Sequence, residues 1–192
     1  MEIKLTKSSS LIRYSFLLLL AAALLASAAQ GLHGQNLPTV VKAEALLATN
    51  AVHAGSSAKA AFIAHVASGY HINDHHPSLD YLIPTELRMN SAQKFELQNL
   101  VYPTGSKVRF SFSETPLSVY QGTAVILANL KVPPGAAPGR YQLTGKLAYQ
   151  ACNEHACLPP SSVPVTLNVH VVGHDVPLKR IHPDVFKSID KP

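Results

Sequence analysis

The chain has 192 residues, enough for an export signal and one domain with a real core. Its formal net charge is +5, from 16 Lys and Arg against 11 Asp and Glu. It has no basic run and no interleaving of aromatic with basic residues, which argues against a nucleic-acid partner.

Lys4, Lys7 and Arg13 precede an uncharged run, FLLLLAAALLASAA, at 16–29 that closes on small residues. This is the order of a secretory signal, with an A-x-A-like site at Ala26-Ser27-Ala28 or one residue on. The run is shorter than the about 18 to 20 apolar residues of a spanning helix. Residues 1–29 are therefore predicted to be a signal peptide, the alternative being an uncleaved anchor. Cleavage removes three basic residues and one acidic one, leaving 163 residues with a net charge of +3. No second long apolar segment follows, so the mature product is expected to be soluble, without stable membrane insertion. Its two cysteines then meet an oxidising compartment, the periplasm in a Gram-negative host.

Residues 30–173 read as β structure. Candidate strands lie at 38–47, 58–67, 85–90, 94–102, 107–112, 122–132, 140–151 and 163–171, with the turn signals HAGSS, YPTGS and VPPGAAPG between them. The first is the least regular, because VVKAEALLA also fits a helical period. In 107–112, Val108, Phe110 and Phe112 alternate with Lys107, Arg109 and Ser111. In 140–151, Tyr141, Leu143, Leu147 and Tyr149 share one face, as do Val163, Val165, Leu167 and Val169 in 163–171. Such a series predicts an all-β, immunoglobulin-like antiparallel β-sandwich. Residues 174–192 read as a polar tail with one short helical turn. Asp74, His75 and His76 read as a polar turn before Pro77.

The cysteines, Cys152 and Cys157, fall where two alternating strands meet, so CNEHAC is predicted to be a hairpin tip. On a helix, residues five apart point in different directions, whereas a four-residue tip meets the usual Cα spacing of about 5.5 Å. The core faces of both strands carry odd numbers, yet pairing Cys152 with Cys157 sets even against odd. A bulge must correct the register, and Pro159 and Pro160, which have no N–H for a ladder, are its expected place. Closing so small a ring gives only about 2 kcal/mol of chain-entropy stabilisation. Residue types alone leave three readings open: a structural staple, a redox pair, or a metal clip of Cys152, His155 and Cys157. The clip needs a fourth ligand from His71, His75 or His76, which read as a loop distinct from the hairpin. A cysteine hydrolase is disfavoured, since neighbouring thiols outside the cytosol oxidise each other.

LAYQACNEHACLPP resembles the active-site hairpin of the N-terminal periplasmic domain of the transmembrane thiol:disulfide reductase DsbD. GYHINDHHPSLDYLIPTEL and FSFSETPLSVYQG resemble two further segments of that family, in the same order across about 38–171. The resemblance implies an immunoglobulin-like fold and a cysteine pair relaying reducing equivalents between thioredoxin-fold domains, with no cofactor beyond the sulfurs. It assigns Cys157 as the sulfur that forms the mixed disulfide and Cys152 as the resolving thiol. It further implies an aromatic cap loop before Val119-Tyr120-Gln121-Gly122, carrying Phe110, Phe112 and Glu114, unless those rings belong to the core. His71 and Asn73 are expected near the hairpin; Glu154 and His155 lie between the cysteines, and Tyr149 is expected in the core at the site's flank. Because the chain stops after its tail, a free-standing version is expected. Its donor would be a membrane thiol:disulfide reductase or a thioredoxin-like protein. Its acceptor would be a periplasmic thioredoxin-fold protein, such as the family's disulfide isomerases or cytochrome c maturation thioredoxins. The rival functions are a non-catalytic sandwich that binds a protein or sugar, and a periplasmic copper or zinc carrier.

Overall fold

A computed structural model describes residues 39–90 and 94–187; the expected signal peptide lies outside the described residues. In chain order the strands are β1 (Val41–Leu47), β2 (Val52–His53), β3 (Ser57–Val66), β4 (His71–Asn73), β5 (Glu86–Met89) and β6 (Glu96–Val101). They continue with β7 (Ser106–Val108), β8 (Leu117–Tyr120), β9 (Thr123–Lys131), β10 (Gly139–Tyr149), β11 (Ala151–Cys152) and β12 (Ser161–Val172). A single turn of helix, α1 (Pro183–Phe186), follows.

The strands form three sheets, ordered β1-β3-β9-β6, β2-β12-β10-β5 and β11-β4-β8-β7. Pairing is antiparallel except for two residues of β2 against β12. Period-2 alternation supplies the facing surfaces of the first two sheets. Phe62 sits opposite Ile126 and Leu143 opposite Leu167, and all four join one buried cluster with Leu130, Leu147, Val165 and Val169. Burying each such side chain contributes about 1.5 to 3 kcal/mol, so this shared interior is what holds the sandwich together. The chain is thus the expected all-β, immunoglobulin-like sandwich.

Three sequence readings are refined. VKAEALL is strand, not helix: all seven residues of β1 pair with β3, and an isolated helix so short is marginal in water. The alternation over 107–112 does not continue as a strand. β7 ends at Val108, opposite Leu117, because the next position on the partner strand is Pro116, which has no N–H to pair. Finally, β2, β4 and β8 went unpredicted. β4 and β8 are buried at every residue, so neither shows an alternation to read.

Beyond Gly173 the backbone returns to the sandwich. The Asn50 N–H donates to the Lys179 carbonyl and the Ile181 N–H to the Ala48 carbonyl, and the Phe186 side chain of α1 is buried. No helix among the described residues is long and apolar enough to cross a membrane.

β10 approaches β5 closely at Gly145. A Cβ there would lie 2.8 Å from the Met89 Cα and nearer still to the Arg88 carbonyl oxygen. Gly145→Ala is therefore expected to cost about 1 to 3 kcal/mol by overpacking, read as a lower urea midpoint. An unchanged midpoint would mean that β5 yields freely.

Candidate functional site

The β10–β12 hairpin positions the cysteines. Its ladder runs odd against odd to Tyr149 opposite Ser161. Past it, the Leu158 N–H donates to the Ala151 carbonyl (2.8 Å) and Cys152 bridges Cys157. Gln150 therefore faces two residues, Pro159 and Pro160, and this is the bulge that the register demanded. At the tip the Asn153 N–H donates to the Ala156 carbonyl (3.0 Å). The Asn153 Oδ1 accepts the N–H groups of His155 (2.8 Å) and Ala156 (2.9 Å), so one side chain closes the turn. Cys152 and Cys157 form a disulfide with their Cα atoms 3.9 Å apart. Their environments differ sharply: Cys152 is 0% exposed, whereas Cys157 lies on the surface.

The third sheet explains the difference. β11 pairs with β4, placing Cys152 opposite His71 and Ala151 opposite Ile72. Side chains of directly opposed residues stand on the same face. Ala151, Ile72 and Tyr120 turn to the main core, while Leu117 and Val119 join Leu82 in a small second cluster. Cys152 and His71 belong to the latter face.

Residues 109–116, between β7 and β8, cover that face. The Phe110 ring stacks on the His71 imidazole at 4.0 Å between centroids, and Phe112 stacks on Phe110 at 5.3 Å. The Ser113 N–H donates to the Phe110 carbonyl (3.1 Å), turning the loop back, and the Ser111 hydroxyl reaches the Glu154 carbonyl on the hairpin tip (3.4 Å). A cavity of about 300 Å³ remains between loop and strand, lined by Tyr70, His71, Arg109, Phe110, Gln121 and Glu154.

The family model described as the N-terminal domain of the thiol:disulfide interchange protein DsbD matches residues 38–168. The chain belongs to this family. The matched segment contains the hairpin, His71 and the 109–116 loop. Among solved structures, the reduced DsbD N-terminal domain of Neisseria meningitidis is similar at 19% identity, covering 70% of this chain and 91% of that one (TM-score 0.41). The N-terminal periplasmic domain of ScsB from Proteus mirabilis matches at 15% identity over 68% of this chain and 44% of that one (TM-score 0.42). A complex between the DsbD N-terminal and PilB N-terminal domains from Neisseria meningitidis matches at 20% identity over 64% and 80% (TM-score 0.36). No curated protein sequence matches significantly.

In this DsbD N-terminal family member the predicted residues fall in three groups. Cys152, Cys157, His71, Phe110 and Phe112 form one continuous cluster. Phe112 is 42% exposed and Phe110 half-buried, and neither enters the main core. Glu154 and His155 are exposed at the tip and Glu114 on the loop. Tyr149 is buried in the main core. Asn73 is fully buried, its Nδ2 donating to the Ile83 carbonyl (3.0 Å).

His71 corrects the grouping of the histidines. It does not share a loop with His75 and His76; it lies within β4, beside the hairpin. His75 instead stacks on Tyr102 at 3.6 Å, with its Nδ1 3.0 Å from the Thr85 carbonyl. Asp74 is buried and accepts from the Ser118 hydroxyl and the His76 N–H, both at 2.6 Å. Among the described residues no group of three or more His, Cys, Asp or Glu side chains is arranged to hold a metal ion. Burial lowers the pKa of His71 from its ordinary value, favouring a neutral imidazole. Sequence reasoning missed Asn153 and Gln150, although Asn at a tight tip is a readable turn signal.

Proposed function

We propose that this chain is a periplasmic thiol:disulfide interchange domain that relays two electrons through Cys152 and Cys157. The observation that carries the reading is the asymmetry of the pair, one sulfur buried beneath a loop and the other at the surface of the same tip. In the reduced domain the Cys157 thiolate attacks a sulfur of a partner disulfide, forming a mixed disulfide and releasing the partner's other sulfur as a thiolate. Cys152 then attacks the Cys157 sulfur, forming the intramolecular disulfide and freeing the partner's second thiolate. Two electrons have moved to the partner and the domain is left oxidised. The same steps in reverse recharge it.

Family membership supports thioredoxin-fold proteins as partners, with a membrane thiol:disulfide reductase or thioredoxin-like protein as donor and a periplasmic thioredoxin-fold protein as acceptor. Equilibration with glutathione and thioredoxin buffers, followed by counting of free thiols, tests the relay. The expected potential lies above about −300 mV, because a relay must be reducible by its donor. A disulfide that stays oxidised far below that value is structural and would defeat the reading.

A further inference from the structure

His71 carries a feature that packing alone does not explain. Its Nε2 is buried and has no hydrogen-bond partner, although buried polar groups are nearly always satisfied. The ring stands on the same face as Cys152, directly across the β4–β11 pair, and is capped by Phe110. In the disulfide form Cys152 has no proton to share. Once reduced, its thiol is a donor within the reach of an opposed side chain.

We propose that His71 is the general base for the resolving step, taking the Cys152 thiol proton as that sulfur attacks the mixed disulfide. The proposal rests on the reading of Cys157 as the attacking sulfur and Cys152 as the resolving one. The S–H bond of Cys152 breaks and its proton passes to the imidazole. The resulting thiolate forms the bond to the Cys157 sulfur, and the Cys157–partner bond breaks with its electron pair leaving on the partner. The imidazolium then gives the proton up to solvent through the cavity that His71 lines. A neutral acceptor is what this step needs, since a fully buried thiol has no water to ionise into. Of the elements packed against His71, β11 brings Cys152, and β8 brings only Leu117 and Val119 to that face. The neighbouring Tyr70, Arg109 of the loop and Glu154 of the tip line the cavity.

The reduced full domain, mixed with one equivalent of the aromatic disulfide DTNB, should release its coloured thiolate in two phases. The first reports attack by Cys157 and the second the resolution by Cys152. The second-phase rate is expected to be nearly flat between about pH 7 and 8, below the range of an ordinary thiol. In His71→Leu and in His71→Gln alike, it should fall by about 100-fold at about pH 7 and then climb about tenfold per pH unit. Gln keeps a hydrogen-bond acceptor but is no base, so a flat profile retained in His71→Gln would overturn the proposal. So would variants that match the wild type. A wild-type second phase that already climbs tenfold per unit would overturn it without reference to any variant. Absence of the first phase in the wild type would instead sink the assignment of Cys157, and the proposal with it.

Discussion

Reduced Cys152→Ser, mixed with an oxidised thioredoxin-fold protein, is expected to accumulate nearly stoichiometrically as a covalent adduct through Cys157, whereas Cys157→Ser yields none. The expectation follows from exposure. A partner disulfide must be approached in line by the attacking sulfur, and only Cys157 lies at the surface. Cys152 is 0% exposed, opposite His71 and under the Phe110 loop, so an external disulfide cannot reach it without opening the tip. Removing the resolving sulfur leaves the mixed disulfide without an internal exit. Non-reducing gels and intact mass measure the adduct. The reverse pattern, with Cys157→Ser trapping the partner, would exchange the roles of the two sulfurs and undo the mechanism built on their exposure.

The second large effect concerns access. Truncating Phe110 removes two ring stacks, on His71 and on Phe112. Each is worth about 0.5 to 1.5 kcal/mol, so the closed loop loses about 1 to 3 kcal/mol relative to open ones. Reaction of the reduced cysteines with a small oxidant should accelerate by about 5- to 160-fold in Phe110→Ala. Phe112→Ala removes a single stack and should accelerate it about 2- to 10-fold. The melting temperature should fall by no more than these losses imply, about 2 to 12 °C in Phe110→Ala and about half that in Phe112→Ala. A loss of about 3 to 5 kcal/mol, as for a buried core Phe, with unchanged thiol kinetics would mean that the loop packs but does not guard.

The long strands β9, β10 and β12 were legible because each alternates between a dry and a wetter face, whereas β3 is buried on both faces from Ala60 to Ala64. Leu143, Leu147, Val165 and Leu167 announce the sandwich by their spacing alone, and the parity conflict between Cys152 and Cys157 located a bulge at Pro159 and Pro160. The site itself was only half visible. β4 is buried on both faces and three residues long, so nothing in HIN marks it as the strand that puts His71 opposite Cys152. The alternation of Val108, Phe110 and Phe112 imitates a strand, and only the missing N–H of Pro116 on the facing segment shows why it becomes a loop. Pairings between distant segments of this kind are set by the closing of the fold, which no local pattern encodes.

The tip is held by more than sulfur. The Asn153 side chain, the Leu158–Ala151 hydrogen bond and two consecutive prolines shape it without help from the disulfide. When the bond opens, the two thiols therefore stay neighbours instead of diffusing as chain ends, and each meets the other at the high effective molarity of a preorganised intramolecular pair. On the proposed assignment, a partner joined to Cys157 would consequently be held only briefly. In the proposed relay, that preorganisation would make each covalent contact with a partner short, so that exchange and not lasting association is the expected outcome.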